Sequence, residues 1–189
     1  MNGPHMRILY SRRFSHELVA PVIKVVDGFS TRYGVTYDRA FVENSGMNVK
    51  HRGAIRRALT SERPVVFGDI SISQAVLDIT FRTTIGIGVT DRQLFREVNG
   101  TRERVDGIGI SNTCAIISVF RFLSLGQKLR DDAIRAVTLH ELGHVFGDAT
   151  KHCEDKSCAM HASNPNLGFC SDCASKVNLG VGHSLFARV

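Results

Sequence analysis

His140-Glu141-Leu142-Gly143-His144-Val145-Phe146-Gly147, followed after four intervening residues by His152-Cys153, is the stretch on which the reading of this chain turns. Residues four apart in an α-helix lie one turn above each other on one face, so His140 and His144 present two imidazoles to one ion. Glu141 is rotated by about 100° from His140 and falls beside that ion. Its carboxylate can there take a proton from a water that zinc acidifies to a pKa of about 7. Between Arg135 and Gly147 the only acidic or basic side chain besides the histidines is Glu141, and an ionisable group in an apolar helix is costly unless a partner or metal compensates it. A satisfied core pair with a cap is therefore the weaker reading of these three residues.

Apolar periodicity extends the helix back to about residue 131, where Asp131 or Asp132 is the expected N-cap, and forward to Gly147. Gly143 in mid-helix costs about 1 kcal/mol against alanine, which implies close packing at that position. Gly147 is expected to take the left-handed conformation and turn the chain sharply. A turned chain can bring back a third ligand, for which His152 is the leading candidate and Asp148 the weaker one.

Four of the five cysteines, Cys153, Cys158, Cys170 and Cys173, follow within 21 residues of one another, the last two as a C-x-x-C. Two close pairs joined by a loop describe a closed tetrahedral thiolate site, in which a structural zinc would pin the loop carrying His152. A thioredoxin-type redox pair is the alternative, but no strand-then-helix context supports it. Cys114 stands alone in an apolar run and is read as a buried, inert thiol.

Working outward, strands are expected over 8–10, 35–42, 84–89, 105–110 and 114–122, with helices over 16–31 and 51–59. Residues 64–83 have mixed periodicity, either two short strands or a strand and a helical turn. Alternating elements of this kind make an α/β sandwich. With 43% apolar and 22% charged residues in 189, one folded domain over 6–189 is expected. Met1 to His5 (MNGPH) reads as an expression-tag remnant and is left out of the fold.

The net charge is +6, with local clusters at Arg12, Arg13, Arg52, Arg56 and Arg57. Without interleaved aromatic residues these describe a solvated basic surface rather than a single-strand nucleic-acid platform. No apolar run reaches signal-peptide or membrane-spanning length. A cytoplasmic monomer acting on a peptide or protein, with no membrane or nucleic-acid partner, is expected.

At these residues the sequence resembles the archaemetzincins, a metzincin-clan family marked by HExxHxxGxxHC, four residues, CxM and a later CxxC. Here the run is HELGHVFGDATKHC, EDKS, CAM and CSDC. IGIGVTDRQLF and CAIISVFRF upstream are similar to family strands. The likeness covers 84–173 well and the N-terminal half loosely. It implies a three-layer α/β/α metzincin-like domain with a mixed sheet, an active-site helix and a C-terminal zinc-bound cysteine loop. By the same resemblance His140, His144 and His152 would bind a catalytic zinc with Glu141 as general base and proton shuttle. Cys153, Cys158, Cys170 and Cys173 would hold a second, structural zinc. Met160 would form the Met-turn as a soft floor beneath the metal. An edge strand near 105–110 would accept a peptide by strand addition.

Two departures stand against the family pattern. The family's third histidine comes three residues after its glycine, where this chain has Thr150, whereas His152 comes five after Gly147. Either a two-residue bulge delivers His152, or the site has two protein ligands only. The loop from Met160 to Cys170 is also shorter, and the family's NFVFG has no counterpart in 101–110.

The reaction expected is peptide-bond hydrolysis by metal-activated water, with two zinc ions per chain. The alternatives are a catalytically impaired, zinc-stabilised binding module, for nucleic acid for example, and a zinc hydrolase of a non-peptide amide or ester.

Overall fold

A computed structural model describes residues 5–10, 14–41, 85–98, 101–110, 114–147, 152–162 and 166–177. The expectations for 51–59 and 64–83, the five arginines at 12, 13, 52, 56 and 57, and Asp148 lie outside them. In chain order the elements are β1 (His5–Tyr10), α1 (His16–Tyr33), β2 (Thr36–Phe41), β3 (Ile85–Thr90), β4 (Leu94–Val98), β5 (Thr101–Val105), β6 (Gly107–Ile110), β7 (Cys114–Ser118), a 3-10 turn (Phe120–Phe122), α2 (Gln127–Phe146) and the short α3 (Ser171–Ser175).

Five strands form a mixed sheet in the order β2-β1-β3-β7-β6, and β4 and β5 form a separate ribbon. The first four strands of the sheet are parallel, whereas β6 runs antiparallel to β7, with Gly107 opposite Ile117 and Gly109 opposite Ala115. Strands buried on both faces read as continuous apolar runs rather than alternating ones. IGIGVT and CAIIS are of this kind, and every residue of β3 and β7 is buried.

Because side chains alternate across a strand, Met6, Ile8, Ile85, Ile87, Val89, Ala115 and Ile117 share one face. They form one core with Val19, Val22, Val26 and Phe29 of α1 and Ile134, Val137, Leu142, Val145 and Phe146 of α2. The two helices meet through Phe29 and Phe146, whose rings lie 5.0 Å apart. Helix α1 stops where the sequence supplies a left-handed glycine: Gly34 has φ 69° and donates its N–H to Ser30 at 2.8 Å.

Several elements differ from the sequence expectation. Strand β1 begins at His5, which pairs with Thr36, so that residue belongs to the sheet rather than outside the fold. Helix α2 begins at Gln127 with Gly126 as its N-cap, not at Asp131 or Asp132. Asp132 instead pairs with Arg135 at 3.1 Å. The strand expected over 114–122 ends at Ser118 and gives way to the 3-10 turn. The strand expected over 105–110 is two elements: Val105 closes the β4–β5 ribbon, and after Asp106 the chain enters the main sheet as β6. Among the described residues no helix is long and apolar enough to cross a membrane.

Candidate active site and metal centres

His140, Glu141 and His144 lie in the last two turns of α2, all three buried. The Nε2 atoms of His140 and His144 are 3.0 Å apart. The Nδ1–H of His140 donates to the carbonyl of Ala159 at 2.7 Å, which fixes the tautomer and turns the Nε2 lone pair toward His144. Burial pushes the His140 pKa down, against the opposing pull of the Ala159 carbonyl, with a further lowering from His152. The neutral ring so favoured is the ligating form.

The third histidine arrives from the loop after α2. The His152 ring lies 5.2 Å from that of His140 and 5.1 Å from that of His144, and one donor atom from each of the three lies within 4.8 Å of the others. The longer spacing after Gly147 therefore brings His152 to the pair, and the objection from spacing falls. Gly147 itself is not left-handed: it is extended, at φ −118° and ψ −150°. Its need for glycine is one of space, since a Cβ there would stand 2.7 Å from the carbonyl oxygen of Gly143.

Gly143 is where the helix meets its floor. A Cβ there would overlap the sulfur of Met160 and reach 3.0 Å from a ring carbon of Phe169, so Met160 packs directly against the helix between the two histidines. Met160 is held by a tight turn in which His161 N–H donates to Cys158 at 3.1 Å. Cys153 N–H donates to the Met160 carbonyl at 2.9 Å. The floor and the His152-Cys153 segment are thereby one piece.

The four sulfurs of Cys153, Cys158, Cys170 and Cys173 also lie within 4.8 Å of one another. A tetrahedral ion with bonds of about 2.3 Å to sulfur has sulfur–sulfur edges of about 3.8 Å, and the Cys153–Cys170 separation is 3.8 Å. Backbone N–H groups of Met160 and Cys170 point at the Cys158 sulfur, each at 3.4 Å, and that of Cys173 at the Cys170 sulfur at 3.5 Å. The Cys173 N–H, the largest influence, holds the Cys170 thiol below its ordinary range. Such donors favour thiolates, the form that binds metal. The C-x-x-C opens the short helix α3, with Cys170 as its N-cap, but the described residues before it, 166–170, are loop and not strand. Its sulfurs are shared with the other pair.

Both groups fit a cation. For bonds of about 2.0 to 2.1 Å the nitrogen–nitrogen edges of a tetrahedral site are about 3.3 Å, close to the 3.0 Å found between His140 and His144. Two converging nitrogens, one with its lone pair already fixed, need a proton or a metal between them. Cys114 belongs to neither group; it is buried and its thiol is pushed up to about 12 by desolvation, as an inert core thiol should be.

Glu141 is 5% exposed. Burial, the largest influence, pushes its carboxyl up to about 8, against the N–H of Gly109, which donates to it, and with a further rise from Asp106. A cation at the histidines acts the other way and favours the carboxylate. Edge strand β6 lies across this side chain. A Cβ at Gly107 would meet Glu141 Oε1 at 2.5 Å, and one at Gly109 would meet the Glu141 carbonyl oxygen at 2.8 Å. Sequence reading placed the strand but missed that its glycines face Glu141. The signal was available, since glycines two apart in a strand share a face and mark close approach.

A mixed α/β domain in which two histidines of one helix converge with a third from the loop after it, with a four-cysteine cluster beyond, is the class these features define. No family model matches the chain. An archaemetzincin from Archaeoglobus fulgidus is 29% identical over 100 residues, covering 49% of this chain and 59% of that protein. The match thus spans less than two thirds of that relative's length. The crystal structure of archaemetzincin from Methanopyrus kandleri superposes with a TM-score of 0.60 at 20% identity, covering 92% of this chain and 93% of that one. The chain resembles the archaemetzincins in sequence and shares their fold.

Proposed function

We propose that this chain is a zinc metallopeptidase of archaemetzincin type, with peptides or proteins as substrates and two zinc ions per chain. The observation that carries the reading is the convergence of His140, His144 and His152, with donor atoms within 4.8 Å, beside the buried Glu141. A zinc held there would supply Lewis acidity, polarising a scissile carbonyl and acidifying a water. The three imidazoles orient that group, and the Ala159 carbonyl orients His140. Glu141 takes the proton of the attacking water and hands it to the leaving amine, the role of a general base that becomes a general acid. The four cysteines would hold the second ion and with it the turn that presents His152 and Met160.

The β6 edge, the outermost strand of the described sheet, offers backbone groups to an extended substrate beside Glu141. Glu141→Gln tests the assignment. The variant should retain two zinc ions by metal counting and lose hydrolysis of a fluorogenic peptide library by about 100-fold or more. Turnover equal to that of the parent protein would exclude Glu141 as the base.

A further inference from the structure

We propose that Gly107 and Gly109 of β6 are positioning residues for Glu141, with Gly107 deciding where the carboxylate lies and Gly109 how closely α2 approaches the sheet edge. The proposal rests on the reading of Glu141 as the base. Opposite Ile117 and Ala115 in the ladder, the two glycines stand on the sheet face that carries α2. A methyl at 107 would fall 2.5 Å from Oε1, 2.6 Å from Cγ and 2.7 Å from Cδ of Glu141, so it would collide with the side chain alone. A methyl at 109 would fall 2.6 Å from His144 Cβ, 2.8 Å from the Glu141 carbonyl oxygen and 3.0 Å from Oε2. It would therefore push mainly on the helix.

Glycine is a poor strand former, and an edge strand with two of them gives up packing and backbone order. Alanine fits at neither position: at 107 the Glu141 side chain, and at 109 chiefly His144 Cβ and the Glu141 carbonyl oxygen of α2, occupy the space where a methyl would stand. The backbone N–H of Gly109 completes the cradle by donating to that carboxylate. Glu141, almost without solvent contact, has no exposed position to retreat to, so a methyl at 107 moves the carboxylate away from its place beside the histidines. A displacement near 1 Å at a reacting group costs rate out of proportion to its effect on binding.

A double-mutant cycle on the zinc-loaded protein tests this, using Gly107→Ala and Gly109→Ala, each with Glu141 and with Glu141→Ala, read by thermal melting. With Glu141 present, Gly107→Ala should lower the melting temperature by about 4 °C or more. In the Glu141→Ala background that loss should shrink to about 1 °C or less, whereas the loss from Gly109→Ala should persist. Turnover of a fluorogenic peptide library by Gly107→Ala should show kcat reduced about tenfold or more and KM within about threefold, at unchanged zinc content. Equal melting losses for Gly107→Ala in both backgrounds, insolubility in both, or an unchanged kcat would overturn the proposal; insolubility relieved by Glu141→Ala would support it. If the parent protein cleaves no peptide, the peptidase reading fails while the melting cycle still decides the placement of Glu141.

Discussion

At the scale of single residues, the candidate site is governed by the places where a side chain is missing. Gly143 lets Met160 and Phe169 touch the helix between His140 and His144. Gly143→Ala should raise intrinsic helix propensity by about 1 kcal/mol and still destabilise the protein, because overpacking costs roughly 1–3 kcal/mol. Thermal unfolding should show a lowered midpoint, and the loss caused by Gly143→Ala should be smaller in a Met160→Ala background than in the parent; a raised midpoint for the single variant would contradict the contact. The histidines, the glutamate and the cysteines stood out in the sequence because metal chemistry demands particular atoms at short spacings, one helical turn apart for His140 and His144 and in close pairs for the cysteines. Close packing against Gly143 was legible too, since a mid-helix glycine has to be explained. The conformation of Gly147 was not, because a glycine after a helix satisfies either a left-handed turn or a close approach, and sequence does not distinguish them.

At the scale of elements, the loop after α2 joins the two candidate metal centres. His152 immediately precedes Cys153, and Cys153 is tied to Met160 by a backbone hydrogen bond of 2.9 Å. Cys158 is fully buried and accepts two backbone N–H groups. Cys158→Ser should therefore remove one zinc ion and also weaken the other, by about 10–100-fold, the usual cost of losing support for a metal ligand. Chelator competition followed by metal counting measures both. Retention of full affinity at the histidines would show that His152 is held independently of the cysteine cluster.

The β4–β5 ribbon was the main element that sequence reading overlooked. Its signal, the dipeptide Asn99-Gly100 between LFREV and TRERV, is a strong hairpin cue. The arms carry a cross-strand ion pair, Arg96 to Glu103 at 2.8 Å, rather than the apolar alternation that draws attention to a strand. The start of α2 was misplaced for a related reason. Asp131 and Asp132 look like caps, but Arg130 N–H donates to Gly126 at 3.0 Å and the helix is already under way.

At the scale of the whole molecule, the parallel part of the sheet was readable because its central strands are uniformly apolar, while its order and the antiparallel edge required tertiary contacts that no local pattern contains. The far edge is fastened differently. Arg7 of β1 donates from Nε at 2.7 Å and from Nη2 at 2.5 Å to Asp38 of β2. These hydrogen bonds are the main reason that the Asp38 carboxyl lies below its ordinary range. A carboxylate depressed in the folded state adds stability above its unfolded pKa of about 3.9, and loses it as pH falls through the folded value. The two side chains are 38% and 41% exposed, so solvent screening limits the effect to less than about 1 kcal/mol. Urea unfolding should show Asp38→Asn weaker than the parent at pH 7, with the gap closing as pH falls below the unfolded value of about 3.9; a gap that widens on acidification would contradict the sign.

Because both inward positions of β6 are committed to the helix beneath, the strand's latitude for change is confined to Ile108 and Ile110, which point to its other face and of which Ile110 is 38% exposed. Anyone retuning selectivity along this border has two adjustable positions, while the carbonyls and amides between them stay the same whatever is chosen. Discrimination built here would concern shape and greasiness on the outer side, and would leave the buried carboxyl on the inner side undisturbed.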